Sequence, residues 1–140
     1  AGIDADPAAA LADGRALERY RAMITAQGGD PDAELPAARH TTVVQAESGG
    51  WVSALEARSV GVAAWRLGAG RARKEDPVSP AAGIICLVKP GDQVDAGQPV
   101  LELRSDDPGR FDRALEALAG ALEIGAQPPE PVGLILDRIS

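Results

Sequence analysis

The apolar positions of this chain switch between helical and strand spacing, with the switches marked by Gly and Pro. Leu17, Tyr20 and Ile24 recur at +3 and +4 and lie on one stripe of a helix. Ahead of them, Asp6-Pro7 has the form of a cap followed by proline at the first helical position, so a short alanine-rich helix is expected to Leu11. Asp13 is a second cap candidate, and Glu18 and Arg21 are spaced for an i,i+3 ion pair. Gly28 and Gly29 stand where a helix stops. Residues 30–39 carry Pro31 and Pro36 without a sustained period and read as a connector, the best candidate boundary.

From Thr41 the spacing shortens. Thr41-Thr42-Val43-Val44 is β-branched and suits a strand, Gly49-Gly50 a turn, and Trp51 to Leu55 a second strand. Ser53 and Glu56 fit a capping box, yet a helix beginning near Arg58 accounts better for Val60, Ala64 and Leu67. Gly61, Ala64 and Gly68 would give that helix a smooth edge for another backbone, and Gly68-Ala69-Gly70 would end it. Arg71 to Pro77 is a charged loop, and Val78 to Val88 returns to strand character. Pro90-Gly91-Asp92 and Ala96-Gly97-Gln98-Pro99 are turns, with a short strand over Val100 to Leu103. Asp107-Pro108 repeats the cap and proline signature. Phe111, Leu115, Leu118 and Leu122 then define an amphipathic helix closed by Gly125. A stiff connector with Pro128, Pro129 and Pro131 leads to a last strand expected over 132–139.

Composition narrows the function classes. A chain of 140 residues, 45% hydrophobic and 25% charged, is one ordinary globular domain's worth of sequence. Its 14 Lys and Arg against 21 Asp and Glu leave a net charge of −7, which argues against nucleic acid or an anionic membrane as partner. Cys86 is the single cysteine and His40 the single histidine, too few for an internal disulfide or a Cys/His zinc site. No apolar run reaches the ~18 residues of a membrane span. The opening residues lack the basic and apolar parts of a signal peptide, so a cytoplasmic location is expected. The chain opens on Ala1 rather than Met, and a piece of a longer protein is expected.

Single residues offer little chemistry. His40 could serve as a general base, but no Cys, Ser or Asp motif accompanies it, and a linker or strand-edge histidine is the plainer reading. Cys86 falls in an apolar stretch and reads as a buried small hydrophobe. Trp51 and Trp65 read as core or inter-domain packing, and Glu75 and Asp76 as solvated carboxylates rather than an acid–base pair. Gly68-Ala69-Gly70-Arg71 follows a helix, whereas a phosphate cradle precedes one. No catalytic, cofactor-binding or metal-ligating residue is nominated.

The run from Val78 to Leu101, with its Lys89-Pro90-Gly91-Asp92 and Ala96-Gly97-Gln98-Pro99 turns, resembles biotinyl and lipoyl domains. Those carriers need a lysine on a following hairpin. The corresponding stretch here, Glu102 to Asp107, has none.

A second resemblance covers nearly the whole chain. Gln27-Gly28-Gly29-Asp30-Pro31, then Leu67-Gly68-Ala69-Gly70-Arg71 with Lys74-Glu75-Asp76, then Gly91-Asp92 with Val94, then Arg138-Ile139-Ser140 occur in this order. Together they resemble the C-terminal part of the thymidine and pyrimidine-nucleoside phosphorylase family. Where that family commonly carries Asp and Val, this chain has Ser79 and Ala82. The resemblance implies an α+β fold: an α/β-hammerhead with a barrel-sandwich, biotinyl/lipoyl-like element over 39–140. Residues 1–38 would be a helical segment and linker from the parent's large α/β domain. It implies a parent enzyme, a homodimeric pentosyltransferase without cofactor. That enzyme cleaves a pyrimidine nucleoside with phosphate to free base and (2-deoxy)ribose 1-phosphate. The phosphate loop and base-binding groups would lie upstream, so this portion is expected to be inactive alone, with the parent's N-terminal domains as its partner. Arg71, Arg73 and Lys74 would form a loop facing the parent's cleft. The alternative is a stand-alone, non-enzymatic barrel-sandwich binding module without a carrier lysine.

Overall fold

Helix formation starts at Asp6, whose carboxylate accepts the N–H groups of Ala8 and Ala9 at 3.0 and 3.1 Å. In this computed structural model, residues 6–71 and 73–131 are described. The last strand expected over 132–139 and the closing Arg138-Ile139-Ser140 lie outside them. The chain divides into two units, Ala1–Leu35 and Pro36–Ser140.

The first unit holds α1 (Pro7–Ala12) and α2 (Arg15–Ala26). Gly14, not Asp13, occupies the N-cap of α2, because Asp13 turns its carboxylate onto the Arg15 N–H and guanidinium at 3.1 and 2.7 Å. The far end closes as expected, with the Gly28 N–H on the Thr25 carbonyl and the Gly29 N–H on the Ile24 carbonyl, both 3.0 Å. Arg21 pairs with Asp32 at 3.2 Å instead of with Glu18. Neither helix contains a buried residue; Leu17 is 53% and Tyr20 51% exposed.

Among the described residues, the second unit is α+β and built on two antiparallel three-stranded sheets. One has the order β1 (His40–Gln45), β5 (Pro99–Ser105), β3 (Gly83–Cys86); the other has β4 (Gln93–Val94), β2 (Gly50–Leu55), β6 (Leu122–Gly125). Leu103 of the central strand β5 lies between Thr42 and Ile84. Alternation sends Leu101, Leu103 and Ser105 into the core and leaves Glu102 and Arg104 on the other face, 2.6 Å apart. The Glu102–Asp107 stretch is therefore the end of a central strand and its exit turn, not an exposed hairpin. In the second sheet Gly50 is required by close approach: a Cβ there would lie 2.6 Å from the Gly125 carbonyl oxygen.

Two helices complete the core, α3 (Ala57–Ala64) and α4 (Phe111–Leu118), which pack on each other with fully buried Ala63 and Ala114. Glu56 caps α3 through the N–H groups of Arg58 and Ser59 at 2.9 and 2.6 Å, so the later start is correct and Ser53 is a strand residue. Hydrogen bonding from Ser59 and Arg58 holds the Glu56 carboxyl below its ordinary range. Gly61 has open space around it while Gly68 is buried, so the edge expected from Gly61, Ala64 and Gly68 is not one continuous packed face.

Three further expectations change. Strand structure begins at Gly83 rather than Val78, because Pro77 and Pro80 cannot donate to a ladder and the Ser79 N–H is spent on the Gly68 carbonyl at 2.9 Å. Helix α4 ends at Leu118, and Leu122 opens β6 opposite Leu55, so Gly125 ends a strand. The +4 step from Leu118 to Leu122 fits a helix by arithmetic, but β2 supplies a paired edge for that segment. Finally, Cys86 is exposed, at the end of an edge strand, and not a buried hydrophobe.

Candidate functional site

The charged loop owes its position to the way α3 stops. The helix widens into a π-type turn over Trp65–Ala69, and Gly68, at φ 114° and ψ 5°, breaks it. A side chain at that φ is strained, so glycine is demanded by the backbone itself. Gly70 is demanded by its neighbour: a Cβ there would sit 2.7 Å from Cδ1 of Trp65.

The loop then folds on itself. Asp76 accepts the Arg73 N–H at 2.8 Å through its carboxylate, and the Arg71 guanidinium donates to the Lys74 carbonyl at 3.2 Å. Asp76 thus shapes a turn and is not half of an acid–base pair with exposed Glu75. Arg71, Arg73 and Lys74 are all exposed. None forms an ion pair among the described residues.

The exit turn of β5 anchors this region. Ser105, 1% exposed, donates its hydroxyl to the Leu67 carbonyl at 2.8 Å and accepts the Asp107 N–H at 3.2 Å. Asp106 clasps two distant segments, accepting the Arg39 N–H at 3.1 Å and the Ser79 hydroxyl at 2.9 Å. The Arg39 N–H, then the Ser79 hydroxyl and the Arg39 charge, hold the Asp106 carboxyl below its ordinary value. Ser79 is therefore the loop's tether.

Beside the loop is a cavity of about 400 Å³ lined by Trp65, Arg66, Asp76, Arg110 and Arg113. Sequence reasoning does not single out these arginines, because the apolar stripe of α4 dominates its pattern. The i,i+3 spacing of Arg110 and Arg113, two and five residues after Pro108, is the signal that the sequence offers. Arg66 donates to the Arg113 carbonyl and lies 3.6 Å from Glu116, yet its Nε is buried without a hydrogen-bond partner. An unsatisfied buried donor costs roughly 1–3 kcal/mol. Arg110 lies 3.3 Å from Asp107.

The other candidates stand apart from this cavity. His40 is exposed at the first position of β1, across from Ser105 in register. Trp51 is half-buried in β2, while Trp65 is 41% exposed. Among the described residues there is no group of three or more His, Cys, Asp or Glu side chains able to hold a metal ion, and no helix is long and apolar enough to cross a membrane.

Comparison with known proteins places this arrangement. Residues 51–125, from β2 through β6, match the family model described as the pyrimidine nucleoside phosphorylase C-terminal domain. The chain is 43% identical over 134 residues to the thymidine phosphorylase of Mycobacterium tuberculosis, strains CDC 1551 and H37Rv, covering 96% of this chain and 31% of that protein. It is 35% identical over 136 residues to the pyrimidine-nucleoside phosphorylase of Geobacillus stearothermophilus, covering 94% of this chain and 31% of that protein. The chain thus spans about a third of the length of the curated relatives it matches. Matched over more than half its length by the family model, and over nearly all of it by these relatives, the chain belongs to the pyrimidine nucleoside phosphorylase C-terminal domain family.

Proposed function

We infer that this chain is the C-terminal, non-catalytic portion of a pyrimidine-nucleoside or thymidine phosphorylase. The observation that carries the reading is 43% identity across 96% of the chain to a thymidine phosphorylase three times its length. In the parent reaction phosphate oxygen bonds to the anomeric carbon, the glycosidic C–N bond breaks, and its electron pair leaves with the base, which takes up a proton. Such a site needs donors for phosphate and polar groups for the base.

Residues 39–140 form the family's hammerhead with its barrel-sandwich element, and 1–38 belong to the parent's α/β domain. Support for that division comes from α2, whose apolar stripe is half exposed and suits a surface supplied by upstream sequence. The loop with Arg71, Arg73 and Lys74 faces the parent's substrate cleft and assists its closure; the support is three exposed cations on an otherwise acidic chain. The parent is a cytoplasmic homodimer and uses no cofactor.

The test compares two proteins in an assay for free base from thymidine or uridine with phosphate. The 140-residue chain releases none, while the full-length protein turns over. In the full-length protein, Arg71→Ala with Lys74→Ala raises KM for phosphate severalfold, since solvated ion pairs are worth only about 0–1 kcal/mol each. Turnover by the chain alone, or a kcat loss of many orders of magnitude in the double variant, would refute this assignment of roles.

A further inference from the structure

We propose that the cavity walled by Trp65, Arg66, Arg110 and Arg113 binds a phosphate monoester, with the phosphate on the arginines and the organic group against the indole. The cavity brings together three guanidinium groups from two separate elements, the turn after α3 and the start of α4, against one carboxylate in its lining, Asp76. That carboxylate is already engaged with the Arg73 N–H. The whole chain carries −7, so an excess of cations around one recess runs against the general surface.

The arginines are also incompletely paired. Arg113 has no ion pair among the described residues, and Arg66 retains a buried Nε without an acceptor. The carboxylates nearest Arg66 and Arg110 are Glu116 and Asp107, 71% and 60% exposed, which weakens their hold through solvent. A phosphate monoester brings nearly two negative charges and three acceptor oxygens, and guanidinium forks match that geometry. About 400 Å³ is far more than a bare phosphate fills. The exposed indole edge of Trp65, held by Gly70, offers the remaining wall to a ring or sugar. This inference is independent of the phosphorylase reading, because it concerns binding to this chain and not turnover.

The experiment is calorimetric titration of the chain at fixed ionic strength with phenyl phosphate, inorganic phosphate and benzoate. Phenyl phosphate is expected to bind saturably at one site, severalfold more tightly than the other two. Arg113→Gln, an exposed position on α4, should weaken it at least fivefold with an unchanged melting midpoint. Equal affinity for inorganic phosphate would overturn the monoester assignment, and equal affinity for benzoate would overturn the phosphate assignment. Absence of saturation, or an Arg113→Gln protein that binds as the parent chain does, would overturn the site.

Discussion

Helices α2 and α4 carry apolar residues at the same spacing and meet opposite surroundings. Leu17, Tyr20 and Ile24 stand at i, i+3 and i+7, and so do Phe111, Ala114 and Leu118. The first set is half exposed, with Leu17 at 53%, whereas the second is 8%, 0% and 9% exposed. Periodicity fixes which way a helix points its apolar side; burial depends on what stands opposite. For α4 that is α3 and the sheets. For α2 the described unit supplies only α1, whose residues are not buried either.

The largest effect expected from this contrast is at Leu103, fully buried at the middle of β5. Leu103→Ala should cost about 2–5 kcal/mol in denaturant unfolding through lost packing and a residual cavity. Leu17→Ala in the same chain should change the same transition by less than about 0.5 kcal/mol. Comparable losses at the two positions would erase the distinction between the exposed helices of the first unit and the buried core of the second.

A smaller effect sharpens it within the second unit. Gly68→Ala places a Cβ in ordinary contact, 3.5 Å or more from Arg110, Ala82 and Ser79, so no clash is forced. The penalty is then backbone strain alone at φ 114°, about 1–3 kcal/mol. Gly61→Ala, in open space within α3, should instead be neutral or stabilising.

The smallest effect is the acid sensitivity of the Asp106 clasp. Its partners favour the ionised form, so the folded-state pKa lies below the ordinary 3.8. The clasp's contribution is complete above that ordinary value and is lost as pH falls through the lower folded-state value. Asp106→Asn should therefore lower stability at neutral pH and flatten the acid limb of a pH–stability curve. An unchanged acid limb would assign that slope to other carboxylates.

Much of this architecture was legible in the residues. Asp6-Pro7 and Asp107-Pro108 announced their helical turns because capping is local chemistry, settled within three residues. The turns at Gly91 and Gly97 and the break at Gly68 in the turn that follows α3 were legible for the same reason. What failed involved distant partners. Leu122 looked helical because the β2 edge that claims it is some 70 residues away in sequence. The burial of Cys86 was misjudged because an edge strand and a central strand can have the same composition. The arginine-lined cavity was missed because Arg66 and Arg113 meet only when α3 packs on α4. The cation-rich loop was found by composition, but its anchoring by Asp106 depends on a turn 27 residues beyond Ser79.

The open end of β3 has a practical consequence. Cys86 is the only thiol in the sequence and it is exposed, so a maleimide dye would attach at one defined position. That position is hydrogen-bonded through its strand to β5, opposite Leu101, and lies outside both the charged loop and the arginine cavity. A fluorophore there would report melting of the sheet while leaving both candidate surfaces chemically untouched. The same accessibility means that protein kept without reductant will accumulate disulfide-linked pairs.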